Sequence, residues 1–224
     1  MVAKGFTQIE GVNYDETFAP VAKLTSLRSI LALSNKHDLE VHQMDVKSAY
    51  LNRVLKEEIY MEAPPGFDVP NGMVLRLAKA VYGTKQGGRV WYEDIRDTLK
   101  KMGYRHTEAD HAVFTRHDPS MSIIALYVDD ITMVSKDLER IESDKAALRE
   151  RYDMTDLGEL NWILGIRIVR DHHTGTTTLC QEKFAEEVLK RFEKTGLRPI
   201  STPVLANEHL MKLTSPKVDV TEYQ

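Results

Sequence analysis

SIIALYVDDITMVS, residues 122–135, is two apolar runs meeting at a pair of acids. The flanks, Ser122–Val128 and Ile131–Ser135, are rich in branched and aliphatic residues that suit a pleated, buried surface. Asp129-Asp130 is the short polar break that lets two strands fold back on each other. The stretch predicts a tight β-hairpin with both acids at its tip. Upstream, Leu39–Val46 reads as a strand, and Trp91, Ile95, Leu99 and Met102 recur at helical spacing before Gly103 stops the helix. Downstream, Leu138, Ile141, Leu148 and Tyr152 mark a second amphipathic helix, and Asn161–Val169 a further strand. The order strand 39–46, helix 91–102, hairpin 122–135, helix 138–152, strand 161–169 is the split β-α-β-β-α-β pattern of an α+β fold. In such a sheet the first strand can lie beside the hairpin, bringing Asp45 to the same edge as Asp129 and Asp130.

The rest of the chain hangs on this core. Thr25 is placed to cap a helix over about 26–37, with Leu27, Ile30 and Leu31 on one side. EAPPGFDVPNG (62–72) holds three prolines and two glycines and reads as a loop. Ala112–Arg116 reads as a strand before a turn at Asp118-Pro119. Thr176–Cys180 pairs with 161–169 across a turn at His172–Gly175. A last helix runs from about Lys183 to Lys194, with Phe184, Val188 and Phe192 on one side.

Bulk numbers set limits. The chain has 224 residues, 42% hydrophobic and 29% charged, which suits a soluble globular domain. Runs such as Ile123–Val128 are far too short to span a bilayer, and no charged-then-apolar leader opens the sequence. One cysteine, Cys180, excludes an intrachain disulfide. These features lead to the expectation of an intracellular protein, cytoplasmic or nuclear, with no membrane partner. Thirty Lys and Arg against 34 Asp and Glu leave a net charge of −4. A nucleic-acid binder more often carries a basic excess, because neutralised phosphates release counterions. Carboxylates that hold a metal ion are neutralised by it, however, so local surface counts for more than the total.

Three acids at one sheet edge repel one another by roughly 4 kcal/mol per pair at about 4 Å and an effective dielectric near 20. A cation or a bound proton must offset that. Oxygen donors without His or Cys suit magnesium or manganese rather than zinc. Ordinary turn chemistry also places Asp-Asp at hairpin tips, so spacing alone leaves both readings open. Strand alternation puts Asp129 on the face of Tyr127 and Asp130 on that of Val128, which predicts Asp129 as the full ligand and Asp130 as an outer one.

Tyr127-Val128-Asp129-Asp130 between apolar strands resembles the Y-x-D-D signature of reverse transcriptases. It does not stand alone. VAKGFTQIEGVNYDETFAPVAK (2–23), HQMDVKSAYLN (42–52), EEIYMEAPPGF (57–67), VYGTKQGGRVWY (81–92), LYVDDI (126–131), MTDLGELNWILGI (154–166) and STPV (201–204) resemble, in order, the polymerase of copia-type LTR retrotransposons. The resemblance implies reverse-transcriptase fingers and palm with a partial thumb. Partial fingers and the first palm helix would occupy 1–38, and the palm 39–169 with a fingers insertion at about 52–90. The end of a primer-grip hairpin and the start of the thumb would follow over 170–204, then a poorly ordered tail over 205–224.

The implied activity is RNA-directed DNA polymerase, a nucleotidyltransferase adding dNTPs to a primer 3′-hydroxyl with two magnesium ions, manganese being an alternative. Asp45, Asp129 and Asp130 would hold them. Tyr50 matches the aromatic beneath the incoming sugar, where a ring sterically rejects a 2′-hydroxyl. Tyr82, Gly83, Lys85 and Gln86 would line the nucleotide pocket. Tyr127, the Leu164-Gly165 turn, and Lys190 and Arg191 would face primer and template. The implied partners are an RNA template, a DNA primer, dNTPs, and the integrase and ribonuclease H regions of a Pol polyprotein. Relatives carry further residues before Val2 and after Gln224, including basic fingers residues and the rest of the thumb. They usually show Ser or Ala then Pro where Gly87-Gly88 stand, and paired glycines loosen a turn that proline would stiffen. Two other readings remain. One is a catalytically inactive relic with at most weak nucleic-acid binding, which a primer-extension assay separates. The other is an RNA-recognition sheet, against which the strand Ile123–Val128, aliphatic apart from Tyr127, argues, since such sheets expose aromatics.

Overall fold

The computed structural model describes residues 2–70, 72–118 and 120–196. The chain divides into two compact units, Met1–Gln181 and Glu182–Gln224. In the first, chain order runs α1 (Leu24–His37), β1 (Glu40–Val46), β2 (Tyr60–Met61), β3 (Leu75–Arg76), α2 (Gly87–Lys101), β4 (Arg105–His106), β5 (Val113–Arg116), β6 (Ser122–Tyr127), β7 (Asp130–Ser135), α3 (Leu138–Arg149), β8 (Met154–Glu159), β9 (Trp162–Ile163), β10 (Ile166–Asp171) and β11 (Thr176–Cys180).

A six-stranded sheet in the order β4-β5-β6-β7-β1-β8 dominates. Every neighbouring pair in it is antiparallel. With β7 antiparallel to both its neighbours, β6 and β1 run parallel on either side of it. Cross-strand rows on one face are almost wholly apolar: Phe114, Ile124 and Met133, then Leu126, Ile131 and Met44. All six are buried. Trp91, Ile95 and Leu99 of α2 and Ile141 and Leu148 of α3 join the same core. Each such side chain contributes roughly 1.5–3 kcal/mol on leaving water. The helical spacing read from the sequence therefore marks the faces that pack, except at Leu138, which is exposed.

Three expectations need correction. The last strand of the β-α-β-β-α-β order is β8, not 161–169. Residues 161–169 instead hold β9, a turn at Leu164-Gly165 and most of β10, in a separate sheet of order β11-β10-β9. MTDLGE carries little strand signal because β8 is an edge strand with a register shift opposite Gln43 and Met44, and its side chains are alternately exposed. Such a strand needs little apolar periodicity. The second correction concerns the first helix, which takes no cap from Thr25. The carboxylate of Asp110 accepts from the Lys23 N–H (2.9 Å) and the Ser26 hydroxyl (2.6 Å), serving the helix start from far along the chain. Third, the hairpin turns at Val128-Asp129, with Asp130 already paired to Tyr127 in β7.

The second unit contributes α4 (Glu182–Arg191), an amphipathic helix whose residues are all exposed. Ser201–Val204 and the expected tail over 205–224 lie outside the described residues.

Candidate active site

The strand register puts Tyr127 opposite Asp130, Asp130 opposite Asp45, and Asp45 opposite Thr155. Directly paired residues share a sheet face, so two of the three aspartates stand side by side at one end of it. The turn brings in the third. Val46 N–H donates to the Asp129 carbonyl at 2.9 Å, seating the hairpin tip on the end of β1. Val128 makes this turn with φ +55, a conformation that favours glycine or asparagine over a β-branched residue. The indole N–H of Trp91 donates to the Val128 carbonyl at 2.8 Å and holds it there. Trp91 belongs to the helix's apolar stripe, as its spacing suggested, but its polar atom also fixes the hairpin. The turn resets the face assignment too: Asp130, not Asp129, shares a face with Tyr127.

Burial pushes the Asp129 carboxyl above the usual carboxylate range; a bond from the Tyr82 hydroxyl draws it partly back, and the charges of Asp45 and Asp130 raise it again. Asp130 is raised by burial and by Asp45, against a bond from Gln43. The Tyr82 hydroxyl donates to Asp129 Oδ2 at 3.0 Å, and Gln43 Nε2 donates to Asp130 Oδ1 at 2.9 Å. Asp129 Oδ1 is buried with no hydrogen-bond partner among the described residues. Burial first, and then the Asp129 contact, push the Tyr82 phenol up to about 12, so it stays protonated as donor.

A buried carboxylate oxygen without a partner, beside two further carboxylates, fits an oxygen-preferring divalent cation. Among the described residues no three His, Cys, Asp or Glu side chains are closed around one point as metal ligands. Adjacent like charges resist such closure until a cation offsets them.

Tyr50 follows β1 and stacks on Tyr82, ring centroids 4.5 Å apart and planes 19° from parallel. Gly87 and Gly88 lie against that ring. A Cβ at Gly87 would come 2.8 Å from Thr84 Oγ1 and 3.1 Å from Tyr50 Cδ2, and one at Gly88 would come 3.5 Å from the Tyr50 hydroxyl oxygen. Gly87 thus makes room for the Tyr50 ring, whereas a Cβ at Gly88 would fit in ordinary contact, and α2 starts at Gly87.

The loop holding Tyr82, Gly83, Lys85 and Gln86 is braced by the N-terminal segment. Ala3 N–H donates to the Tyr82 carbonyl at 2.7 Å. Gly5 and Gly83 touch main chain to main chain: a Cβ at Gly5 would fall on the Gly83 carbonyl, and one at Gly83 on the Ala3 carbonyl. Gln8 Oε1 accepts from Lys85 N–H at 2.7 Å, and Gln8 Nε2 donates to Gln86 Oε1 at 3.1 Å. Gln86 in turn donates to the Asn13 carbonyl at 3.0 Å and is buried. Its side chain is therefore spent on the scaffold, whereas Lys85 stands exposed. Gln8 and Asn13 were invisible in the sequence, where only a resemblance marked the segment as notable.

Leu164 (φ +53) and Gly165 (φ +74) form the tip of the β9–β10 hairpin, and Leu164 packs on the main core. Lys190 and Arg191 sit in the last turn of α4, in the second unit. His172 lies near Asp38 (3.2 Å) and Glu159 (3.5 Å) at the surface.

Comparison with known proteins places these features in a family. A family profile described as reverse transcriptase (RNA-dependent DNA polymerase) matches residues 1–206. The retrovirus-related Pol polyprotein from transposon TNT 1-94 of Nicotiana tabacum is 43% identical over 96% of this chain and 17% of that polyprotein. The Pol polyprotein from transposon RE1 of Arabidopsis thaliana is 34% identical over 100% of this chain and 15% of its own length. A putative transposon Ty5-1 protein of Saccharomyces cerevisiae is 33% identical over 81% of this chain and 60% of its own length. The chain thus spans less than a fifth of the first two relatives. Matched over nearly its whole length, the chain belongs to the reverse transcriptase (RNA-dependent DNA polymerase) family and corresponds to the reverse-transcriptase region of copia-type retrotransposon Pol polyproteins.

Proposed function

We propose that this chain is the palm and part of the fingers of an RNA-directed DNA polymerase that extends a DNA primer on an RNA template. The observation that carries the reading is the row Asp130–Asp45 with Asp129 seated beside it, its Oδ1 buried and unpartnered. The β1-α2-β6-β7-α3-β8 order supports assigning the large sheet to the palm. Asp45, Asp129 and Asp130 are the residues that would hold two divalent ions, magnesium or manganese. Such ions, when bound, activate the attacking hydroxyl and stabilise the charge of the leaving group. The primer 3′-oxygen attacks the α-phosphorus of a dNTP, forming one P–O bond as the bond to pyrophosphate breaks.

The chain's own residues then have distinct tasks. Trp91 fixes the hairpin tip, so Asp129 is oriented before substrate arrives. Tyr50, whose ring lies against Gly87, would fill the space a 2′-hydroxyl needs. Lys85 presents an exposed ammonium from the braced loop toward triphosphate charge. Tyr127, in the same cross-strand row as Asp130, and the Leu164-Gly165 tip would face the primer end, with Lys190 and Arg191 on template or primer phosphates. Integrase and ribonuclease H regions of the same polyprotein are the expected covalent neighbours.

A primer-extension assay on an RNA template with magnesium tests this. Incorporation of dNTPs by the wild-type chain, falling by at least two orders of magnitude in Asp129→Asn, is the expected result. Unchanged extension in Asp129→Asn sinks the proposed site, and no extension by the wild type supports an inactive relic instead.

A further inference from the structure

We infer that Tyr82 is a positioning residue coupling the sugar-facing ring of Tyr50 to the orientation of Asp129; this rests on the polymerase reading above. The geometry is a short mechanical chain. Gly87 of α2 lies close to the Tyr50 ring, where a Cβ would come 3.1 Å from Tyr50 Cδ2. The Tyr50 ring stacks on the Tyr82 ring at 4.5 Å. Tyr82 is itself tethered at both ends, its carbonyl by Ala3 and its hydroxyl by Asp129 Oδ2.

Two consequences follow. First, Oδ2 of Asp129 is committed to Tyr82, so Oδ1, buried and without a partner, is the oxygen left for a divalent ion. A phenol that orients a ligating carboxylate in this way acts on metal affinity without touching the metal. Second, a group pressing on Tyr50, as a ribose 2′-hydroxyl would, displaces Tyr82 through the stack and turns Asp129 away from the ion. Ribonucleotide rejection then appears in kcat as well as KM. A ring acting only as a steric wall would leave manganese affinity independent of the Tyr82 hydroxyl.

Two variants separate the parts of the chain. Tyr82→Phe keeps the stack and removes the hydroxyl; Tyr82→Leu removes both. Manganese binding is read by calorimetry and by electron paramagnetic resonance on the whole chain, without substrate, alongside thermal melts that report folding. Tyr82→Phe is expected to weaken manganese binding about tenfold, the scale typical of partners that orient metal ligands. In primer extension it lowers kcat for dNTPs by a similar factor, with KM changed less than about twofold. Tyr82→Leu adds a loss of dNTP over rNTP discrimination, seen in the ratio of kcat values. Manganese affinity and kcat both unchanged in a folded Tyr82→Phe overturn the coupling. Asp129→Asn distinguishes this from failure of the polymerase reading. If Asp129→Asn abolishes manganese binding while Tyr82→Phe is silent, only the coupling is wrong. If the wild type binds no manganese, or Asp129→Asn binds it as well as wild type does, both are wrong.

Discussion

Asp130 faces Asp45 directly across the β1–β7 pair, and asparagine at 130 would remove one of two like charges while keeping the shape of the side chain. The bond from Gln43 Nε2 survives, because the amide oxygen accepts it equally well. Directly paired strand residues have Cα atoms about 5 Å apart, which puts the carboxylates at a similar separation. At about 5 Å and an effective dielectric near 20 the repulsion is roughly 3 kcal/mol. Both side chains are only half-buried, so solvent and salt reduce this to about 1–2 kcal/mol. Asp130→Asn is therefore expected to raise the melting temperature by about 3–6 °C in EDTA at neutral pH.

The pH dependence has a definite sign. The folded carboxyl of Asp130 is raised above its ordinary value, so the folded state holds the proton more tightly than the unfolded chain does. Wild-type stability is highest with that proton bound and falls as pH climbs from the ordinary carboxylate range through the raised folded value. The variant lacks that fall, so the two melting curves converge in acid and separate toward neutrality. Millimolar magnesium should narrow or reverse the order, since an ion bound only to the folded wild type stabilises it by mass action. The assay is a thermal melt in EDTA and in magnesium at several pH values. A wild type that melts above Asp130→Asn in EDTA at neutral pH refutes the reasoning, because the paired carboxylates would then not be in conflict.

Two further substitutions probe the scaffold. Asp144 is buried, accepts from Arg116 at 2.9 and 3.1 Å and from the Tyr104 hydroxyl at 2.6 Å, and ties α3 to β5. Asp144→Ala strands both partners and is expected to cost about 3–5 kcal/mol, read from the urea midpoint; a loss under 1 kcal/mol would show that the network is solvent-relaxed. Val128→Asn should instead stabilise by about 1 kcal/mol in the same assay, because asparagine tolerates the left-handed backbone that a β-branched residue resists.

What the sequence disclosed, and what it hid, follows the range of the interactions. Helices α2 and α3 and the strands around Asp45 and Asp129 were legible because their apolar residues repeat at short, regular spacing. The edge strand β8 was not, since one open side and a bulge leave little pattern to find. Residues 161–169 then took its place in the expected order. The face assignment of Asp129 and Asp130 failed for a local reason: one residue at positive φ, Val128, moves the turn back by one position and flips the alternation. The Tyr82–Asp129 bond, the Gln8 brace and the Asp110 cap join residues separated by dozens of positions, and no periodicity records such meetings. Gln86 shows the converse, a residue singled out by motif whose side chain the fold consumes for its own support.

The place where Gly5 meets Gly83 has a consequence for how such chains diverge. The Gly5–Gly83 contact is main chain on main chain, and the Gln8 and Gln86 side chains brace the same two segments beside it. Either segment can be exchanged for its counterpart from a related element and still dock, provided both glycines and both glutamines are kept. Chimaeras crossed over between these two positions should keep their nucleotide loop in register, whereas any side chain at either one prises the two ribbons apart.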